Sequence, residues 1–501
     1  PPHTKQPFAG FPAVSLRLME NPVALTRRGF LGSLATAPAA AAGEPFKIRG
    51  YYTIFSRNQE FGLNQWRRVI DAFAEDRANL LLLWIGGAFR SNKFPITWQY
   101  NQRHPNVRQG FVRTLIDHAH TRGIRVLLGL TPFAYDGVNQ YTIEHPRLRA
   151  TGPDGRPVTL RGIHSWGYNL CPSEPESMRF MLDYTRELCF DFYPNADGLF
   201  LESSDYAVCH CAKCGDHYYD HEYSFVARIA EEVWSANKSS DVMIYPQYFS
   251  TVRFSGFKVR SRVGAVDPRF SLFFARPELV DRDLIGKVRS AVYWDELVRH
   301  DVPTIRQSCR QSVQYGVSGY VPSLEINAIL IEHPEWFSYQ KVGETIRSLD
   351  CRWCLPEENP IDDPLTFVTR FAYREFTLNP ELSLDGFRTR LASRLRVPGE
   401  SYAALLVDLH SAVQKDRQFA SIGLIAYPEK LLQRIAEGTA QSGEYRKILE
   451  RLTEMRAILA KAPPSGTLAR TRRAVEWILA QWNASFRSSL YSPSPRRPRV
   501  E

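Results

Sequence analysis

The body of this chain contains no long run of lysines and arginines. Its formal net charge of +10 over 501 residues is dispersed and partly terminal, at Arg27, Arg28, Arg487, Arg496, Arg497 and Arg499. Without a basic stripe, nucleic acid is not an indicated partner. No apolar run reaches the ~20 residues needed to cross a bilayer, so no stable membrane span is expected. The cysteine loop Cys209-x-Cys211-x-x-Cys214 is followed by Gly215, where attachment of a c-type haem needs His. Strand-like runs are missing after about Trp336.

What is present supports a sizeable core, with 44% apolar and 12% aromatic residues. The length fits one α/β barrel of about 250–300 residues plus a smaller unit. Near the start, Thr26-Arg27-Arg28-Gly29-Phe30-Leu31 is a twin-arginine pair followed by an apolar stretch. Ala39-Ala40-Ala41-Ala42-Gly43 then offers small residues for cleavage. This predicts an export signal with Met19 as its start and the twin-arginine machinery as a partner. A periplasmic or secreted protein follows, in which disulfides are permitted. That route carries folded proteins, so a metal inserted beforehand is permitted too.

Along the chain, strands alternate with helices. Ile48–Phe55 is β-branched and aromatic, as strands prefer. Leu63–Asp76 places Trp66, Val69, Ile70 and Phe73 at helical spacing. Asn79–Ile85 is a continuous apolar run, the mark of a strand covered on both faces. Val107–Arg122 reads as a helix closed by Gly123, and Arg125–Leu130 as a third strand. A long segment from Thr131 to Leu170 follows, with a turn at Pro153-Asp154-Gly155-Arg156-Pro157. Ser173 is expected to cap a helix running to about Phe190, with Pro175 in its first turn and Glu176 at the capping-box position.

Gly198–Leu201 is a short apolar run ending in Glu202 and Asp205. A helix over His221–Ala236 and strands over Asp241–Tyr248 and Phe270–Ala275 come next. Residues 283–299 form either one helix or a strand at Ala291–Asp295 before a helix at Thr304–Tyr315. Gly319–Ile326 closes the set near Glu325. The alternation predicts a parallel sheet closed into a (β/α)8 barrel. Helical spacing takes over at 363–376, 384–396 (capped by Ser383), 400–416, 428–437, 443–461 and 467–485. The expected organisation is an upstream segment and twin-arginine signal over 1–43, a barrel over 44–335, an all-helical C-terminal domain over 336–487 and a disordered Ser/Pro/Arg tail over 488–501.

Glycoside hydrolysis needs two carboxylates flanking the scissile bond. Glu202, Asp205 and Glu325 lie near strand ends that converge in a closed barrel and are the catalytic candidates. An arginine such as Arg57 or Arg161 is a possible partner that would make Glu202 structural instead. Asp295 and Glu296 read as surface acids unless Ala291–Asp295 is a strand. Aromatic and polar groups in loops supply a candidate sugar grip: Arg57, Trp84, Asp136, Arg161, His164, Trp166, Tyr248 and Arg276, with Arg90, Trp98, Tyr135 and Tyr168 nearby. Cys209, Cys211 and Cys214 have spacing suited to a structural zinc, the fourth ligand coming from a histidine or elsewhere. A disulfide within the loop or to Cys171 remains open, as does one between Cys351 and Cys354. Three thiolates leave zinc a poor Lewis acid, so no cofactor is expected in catalysis.

The Pro153–Pro157 turn, Asn169-Leu170-Cys171-Pro172-Ser173, the helix through Asp183-Tyr184 and Gly198-Leu199-Phe200-Leu201-Glu202 resemble bacterial (β/α)8 glycosidases. The acid-ended strand followed by Cys-x-Cys-x-x-Cys resembles relatives of β-hexosaminidases and α-glucuronidases. The resemblance covers roughly residues 48–335, and the helical region behind is similar too. It implies an O-glycosyl hydrolase acting on an oligosaccharide or glycoconjugate of an acidic or N-acetylated sugar. The chain departs from the substrate-assisted hexosaminidases, which carry an adjacent Asp-Glu pair where this one has Glu202-Ser203-Ser204-Asp205. Arg161 and His164 suit a uronic or sialic acid. The rival functions are a non-catalytic carbohydrate-binding barrel and a zinc-dependent hydrolase.

Overall fold

The computed structural model describes residues between Glu44 and Ala480. Outside the described set lie 1–43, 56–61, 100–104, 159–166, 205–207, 250–263, 325–359, 396–400, most of 415–475, 481–501 and single positions such as 136 and 276. The expected export signal, Cys351 with Cys354, the terminal tail and most of the helices expected beyond residue 428 fall there.

Eight parallel strands close in sequence order into a barrel. They are β1 (Ile48–Ile54), β2 (Leu80–Trp84), β3 (Arg125–Leu130), β4 (Gly198–Leu201), β5 (Asp241–Ile244), β6 (Phe270–Phe274), β7 (Ser290–Tyr293) and β8 (Gly319–Tyr320). The helices between them are α1 (Leu63–Glu75), α2 (Ile96–Gln99), α3 (Pro105–Arg108), α4 (Val112–Thr121), α5 (Val138–Glu144), α6 (Pro175–Arg186), α7 (Tyr218–Ala236), α8 (Arg282–Ile285) and α9 (Val302–Tyr315). C-terminal helices follow, beginning with α10 (Pro364–Leu378).

The apolar run at β2 is buried along its whole length, because the interior covers one face and the helices the other. Rings from β1, β4, β6 and just beyond β7 fill the interior. Tyr52 meets Phe200 at 5.9 Å, Phe273 at 6.4 Å and Trp294 at 6.3 Å between centroids, which non-neighbouring strands allow only across the barrel axis. Gly129 of β3 makes room for this filling. A Cβ there would lie 3.1 Å from Phe200 Cδ1 and 3.1 Å from the Trp84 backbone.

Several boundaries differ from the sequence expectation, each for a local reason. The single helix expected over 107–122 is two helices, broken at Gly110, whose φ of 61° is left-handed. The strand expected to reach Tyr248 stops at Ile244. Pro246 has no N–H for the ladder, and Pro246–Tyr248 coils into a 3-10 turn. Ser173 does not cap α6. The N-cap is Glu174, without a side-chain cap bond, and the Ser173 hydroxyl lies 3.0 Å from Cys171 Sγ. Of the two readings of 283–299, the strand is the one adopted, as β7.

Closure is thinnest where β8, only two residues long, meets β1 through the pairs Ile48↔Gly319 and Arg49↔Tyr320. Helix α10 covers this seam. Its Tyr373 hydroxyl donates to the carbonyls of Gly50 (3.0 Å) and Tyr320 (3.3 Å), one on each side. The Tyr373 ring packs on Tyr51 at 4.5 Å. One turn earlier, Arg370 reaches Asp76 at the end of α1 through Nε (2.7 Å) and Nη2 (3.1 Å). Arg370 also donates to the carbonyls of Ala72 and Ile361. Asp76 accepts a further bond from the Tyr51 hydroxyl at 2.9 Å. Burial pushes the Asp76 carboxyl up, while Arg370 and Tyr51 pull it down.

Candidate functional site

The site is built from β4 outward. Gly198 opens the strand with φ of 150°, and a Cβ there would collide with the Asp241 carbonyl of β5. Glycine is therefore required for this close approach. After Leu201 the chain keeps its register for one more residue, since the Glu202 amide donates to the Leu130 carbonyl at 3.0 Å. That bond fixes Glu202 at the carboxyl end of β4, where parallel barrels place their reactive groups.

The Glu202 carboxyl is held from two sides. The Tyr52 hydroxyl donates to Oε2 and the Tyr245 hydroxyl to Oε1, both at 3.1 Å. Tyr52 comes from β1 and Tyr245 from the residue after β5, so the barrel positions both donors. Beneath them Tyr245 lies nearly parallel to Phe273 at 5.3 Å, and Phe200 packs on Phe273 at 4.7 Å. Glu202 thus stands on an aromatic floor with 9% of its surface exposed. A carboxyl with this support has a fixed orientation, as a proton donor or acceptor in a pocket requires.

The next residue leads to a second, hidden carboxyl. Ser203 is fully buried and its hydroxyl donates to Glu222 of α7. The Tyr248 hydroxyl donates to the same Oε1 at 2.5 Å. Burial pushes the Glu222 carboxyl up to about 7, against the hydrogen bonds from Ser203 and Tyr248 that favour its ionised form. With no accessible surface, Glu222 cannot meet a substrate. It braces the backbone that carries Glu202.

Glu222 carries a pH prediction. Its folded pKa of about 7 lies above the ordinary value of 4.5, so the folded chain keeps a proton the unfolded chain loses. Its stabilisation is complete below about pH 4.5 and is lost as pH rises through about 7, a difference of roughly 3 kcal/mol. Thermal unfolding is expected to shift several degrees lower between pH 5 and pH 8.5 on this account. Glu222→Gln, which mimics the protonated acid, is expected to flatten that slope. An unchanged slope in the variant would show that another group sets it.

Other residues named from the sequence are placed as follows. Trp84 is 2% exposed and donates to the Thr131 hydroxyl at 3.3 Å, so it has almost no face for a sugar. Tyr248 has no exposed surface and is committed to Glu222. Both residues pack at the covered strand ends, and their expected sugar contacts stay proposals. Tyr135 is buried as well. Arg90 lies 5.0 Å over the Trp98 ring and donates to the Arg108 carbonyl. Asp295 is not a free surface acid, since it accepts from Tyr320 at 2.6 Å and pairs with His300 at 3.4 Å. Asp205, Glu325, Arg57, Asp136, Arg161, His164, Trp166 and Arg276 lie outside the described residues.

The three cysteines beyond Glu202 come together with a fourth. The sulfurs of Cys171, Cys209, Cys211 and Cys214 all lie within 4.8 Å of one another, a donor set that fits a zinc ion. The histidines expected nearby turn elsewhere. His217 Nδ1 pairs with Asp220 at 2.7 Å, and His221 Nε2 lies 3.3 Å from the Lys213 carbonyl.

A search with protein-family models finds no match, and a search of curated proteins finds none either. Among solved structures, the chain is similar to the beta-N-acetylhexosaminidase from Bacteroides fragilis NCTC 9343. The identity is 13% over 70% of each chain, with a TM-score of 0.46. A GH138 enzyme targeting pectin rhamnogalacturonan II matches at 10% identity over 89% of this chain and 73% of that one, with a TM-score of 0.49. A mutant of the Thermobaculum terrenum O-GlcNAc hydrolase matches at 11% identity over 89% and 84%, with a TM-score of 0.44. Likeness at this level carries no activity across, and the barrel stands on its own strand pairing.

Residues the sequence did not single out complete the site. Tyr52 sits beside Tyr51 in β1, and strand alternation alone sends one to the interior and the other to the helices. Glu222 falls on the buried face of α7 with Tyr218, Phe225 and Ile229. That three-four spacing is a signal readable from sequence.

Proposed function

We propose that the chain is an exported glycoside hydrolase in which Glu202 is the general acid. The observation that carries this reading is the Glu202 carboxyl at the end of β4, gripped by Tyr52 and Tyr245 over an aromatic floor. Trp294, half-buried beside Tyr52 at the same end, offers a ring suited to the apolar face of a sugar. Protonation of the glycosidic oxygen by Glu202 leaves an oxocarbenium-like centre. A second carboxylate, for which Asp205 and Glu325 are the proposed sources, attacks it or activates water. Arg161 and His164 remain the proposed contacts to an acidic sugar such as a uronic or sialic acid, and the twin-arginine motif the proposed route to the periplasm or beyond.

The test is turnover by the full-length chain on a panel of aryl glycosides that includes N-acetylhexosaminides and glucuronides. Binding of glycans with no turnover across the panel would favour a non-catalytic carbohydrate-binding barrel instead. A zinc-dependent hydrolase is disfavoured by the donor set, since four thiolates saturate a tetrahedral zinc and leave no position for water.

The two tyrosines give a graded prediction. A hydrogen bond to a charged group is worth about 1.5–3 kcal/mol. Tyr52→Phe and Tyr245→Phe are each expected to lower kcat about tenfold or more with little change in KM. A double variant with the parent's kcat would remove both tyrosines from the mechanism.

A further inference from the structure

The sulfur cluster joins two loops that follow neighbouring strands. Cys171 ends the long segment after β3, while Cys209, Cys211 and Cys214 belong to the loop after β4. Cys171 Sγ lies 3.5 Å from Cys209, 3.7 Å from Cys211 and 3.6 Å from Cys214. A zinc–thiolate bond of about 2.3 Å places the sulfurs of a tetrahedron about 3.8 Å apart. Three near-equal separations of this size around one sulfur match that tetrahedron. A disulfide requires two sulfurs at about 2.05 Å and would leave the other two thiols crowded and unpaired.

The surroundings are arranged as for a metal. The Thr151 amide donates to Cys209 Sγ at 3.3 Å and the Cys214 amide to Cys211 Sγ at 3.4 Å. Such N–H groups orient thiolates and offset their charge. The turn Cys211–Gly215 is closed by the Gly215 amide on the Cys211 carbonyl at 2.8 Å, with Gly215 in the left-handed region at φ 45°. The His210 amide donates to the Thr151 carbonyl at 2.6 Å, so the two loops are also joined by backbone.

We propose that Cys171, Cys209, Cys211 and Cys214 bind one zinc ion as a closed tetrathiolate site that staples the loops after β3 and β4 at the barrel mouth. Binding releases a proton from each cysteine still in its thiol form. The site stands whatever Glu202 does; only its lack of a part in the reaction rests on the proposed hydrolase. Export of a folded chain by the twin-arginine route is compatible with a metal loaded beforehand.

The experiment is elemental analysis of the full-length chain, purified without chelator, with mercurial titration of its thiols. About one zinc per chain is expected, released as four thiols react. Cobalt substitution is expected to give tetrahedral bands with intense thiolate-to-cobalt charge transfer. Cys171→Ser is expected to weaken that charge transfer and lower zinc retention, whereas Cys309→Ser, at a cysteine outside the cluster, is expected to change neither. A folded chain carrying no zinc, iron in its place, or a disulfide between any two of the four would overturn the proposal. So would Cys171→Ser with full zinc and an unchanged cobalt spectrum. These readouts need no turnover, so a failed hydrolase assay and a failed metal site are separable.

Discussion

Glu202→Gln is expected to lower kcat/KM on an aryl glycoside by about a thousandfold, or ~4 kcal/mol of transition-state stabilisation. The substitution keeps the shape of the side chain. Its amide oxygen still accepts from one tyrosine, and its NH2 can donate to the oxygen of the other phenol, so both contacts keep a hydrogen bond, one of them reversed in direction. The aromatic floor of Phe200, Phe273 and Trp294 does not depend on the charge at Glu202. Unfolding of the variant is therefore expected to match the parent within about 1 kcal/mol, which separates chemistry from stability. What the amide cannot do is donate a proton to a departing oxygen. A variant with parental turnover would transfer the role to another carboxyl and leave Glu202 as a brace between β1, β4 and β5.

The second large effect lies far from that carboxyl. Arg370→Ala is expected to destabilise the chain by about 3–5 kcal/mol, because it strands a buried carboxylate at Asp76. The side chains of Arg370 and Asp76 are 2% and 6% exposed, so water cannot replace the lost partner. The carbonyls of Ala72 and Ile361 each lose the bond from Arg370 at the same time. Set against a total stability of about 5–15 kcal/mol, such a loss removes much of the margin. Denaturant unfolding of Arg370→Ala, Asp76→Asn and the double variant carrying both would measure the pair. The double variant is expected to cost clearly less than the two single losses added together. Strict additivity would mean that α10 is held to the seam by Tyr373 and apolar packing instead.

These two sites differ in how far sequence alone reveals them. The place of Glu202 at the carboxyl end of β4 was legible because a short apolar run ending in an acid reads as a buried barrel strand. The eight strands were legible for the same reason, since Leu80–Trp84 and Arg125–Leu130 are apolar on both faces. Boundaries were lost where one residue overrides a pattern, as Gly110 does between α3 and α4 and Pro246 does after β5. Arg370 and Asp76 are 294 positions apart, and no local spacing announces their pairing. Cys171 lies 38 positions before Cys209, so the loop motif displayed three sulfurs and the sequence offered Cys171 only as a disulfide partner, not as a fourth ligand. Glu222 is the instructive miss. A lone acid on the apolar face of α7 was present in the pattern, and burial beside Ser203 makes it titrate near neutrality.

The most direct measurement compares Glu202→Gln with the parent across aryl glycosides of one sugar, from dinitrophenyl to unsubstituted phenyl leaving groups. A general acid matters little when the leaving group departs unaided and greatly when it needs a proton. With Glu202 as that acid, the loss in kcat/KM is small for dinitrophenol and grows steadily toward phenol. A loss of equal size for every leaving group, or no loss at all, would contradict the assignment.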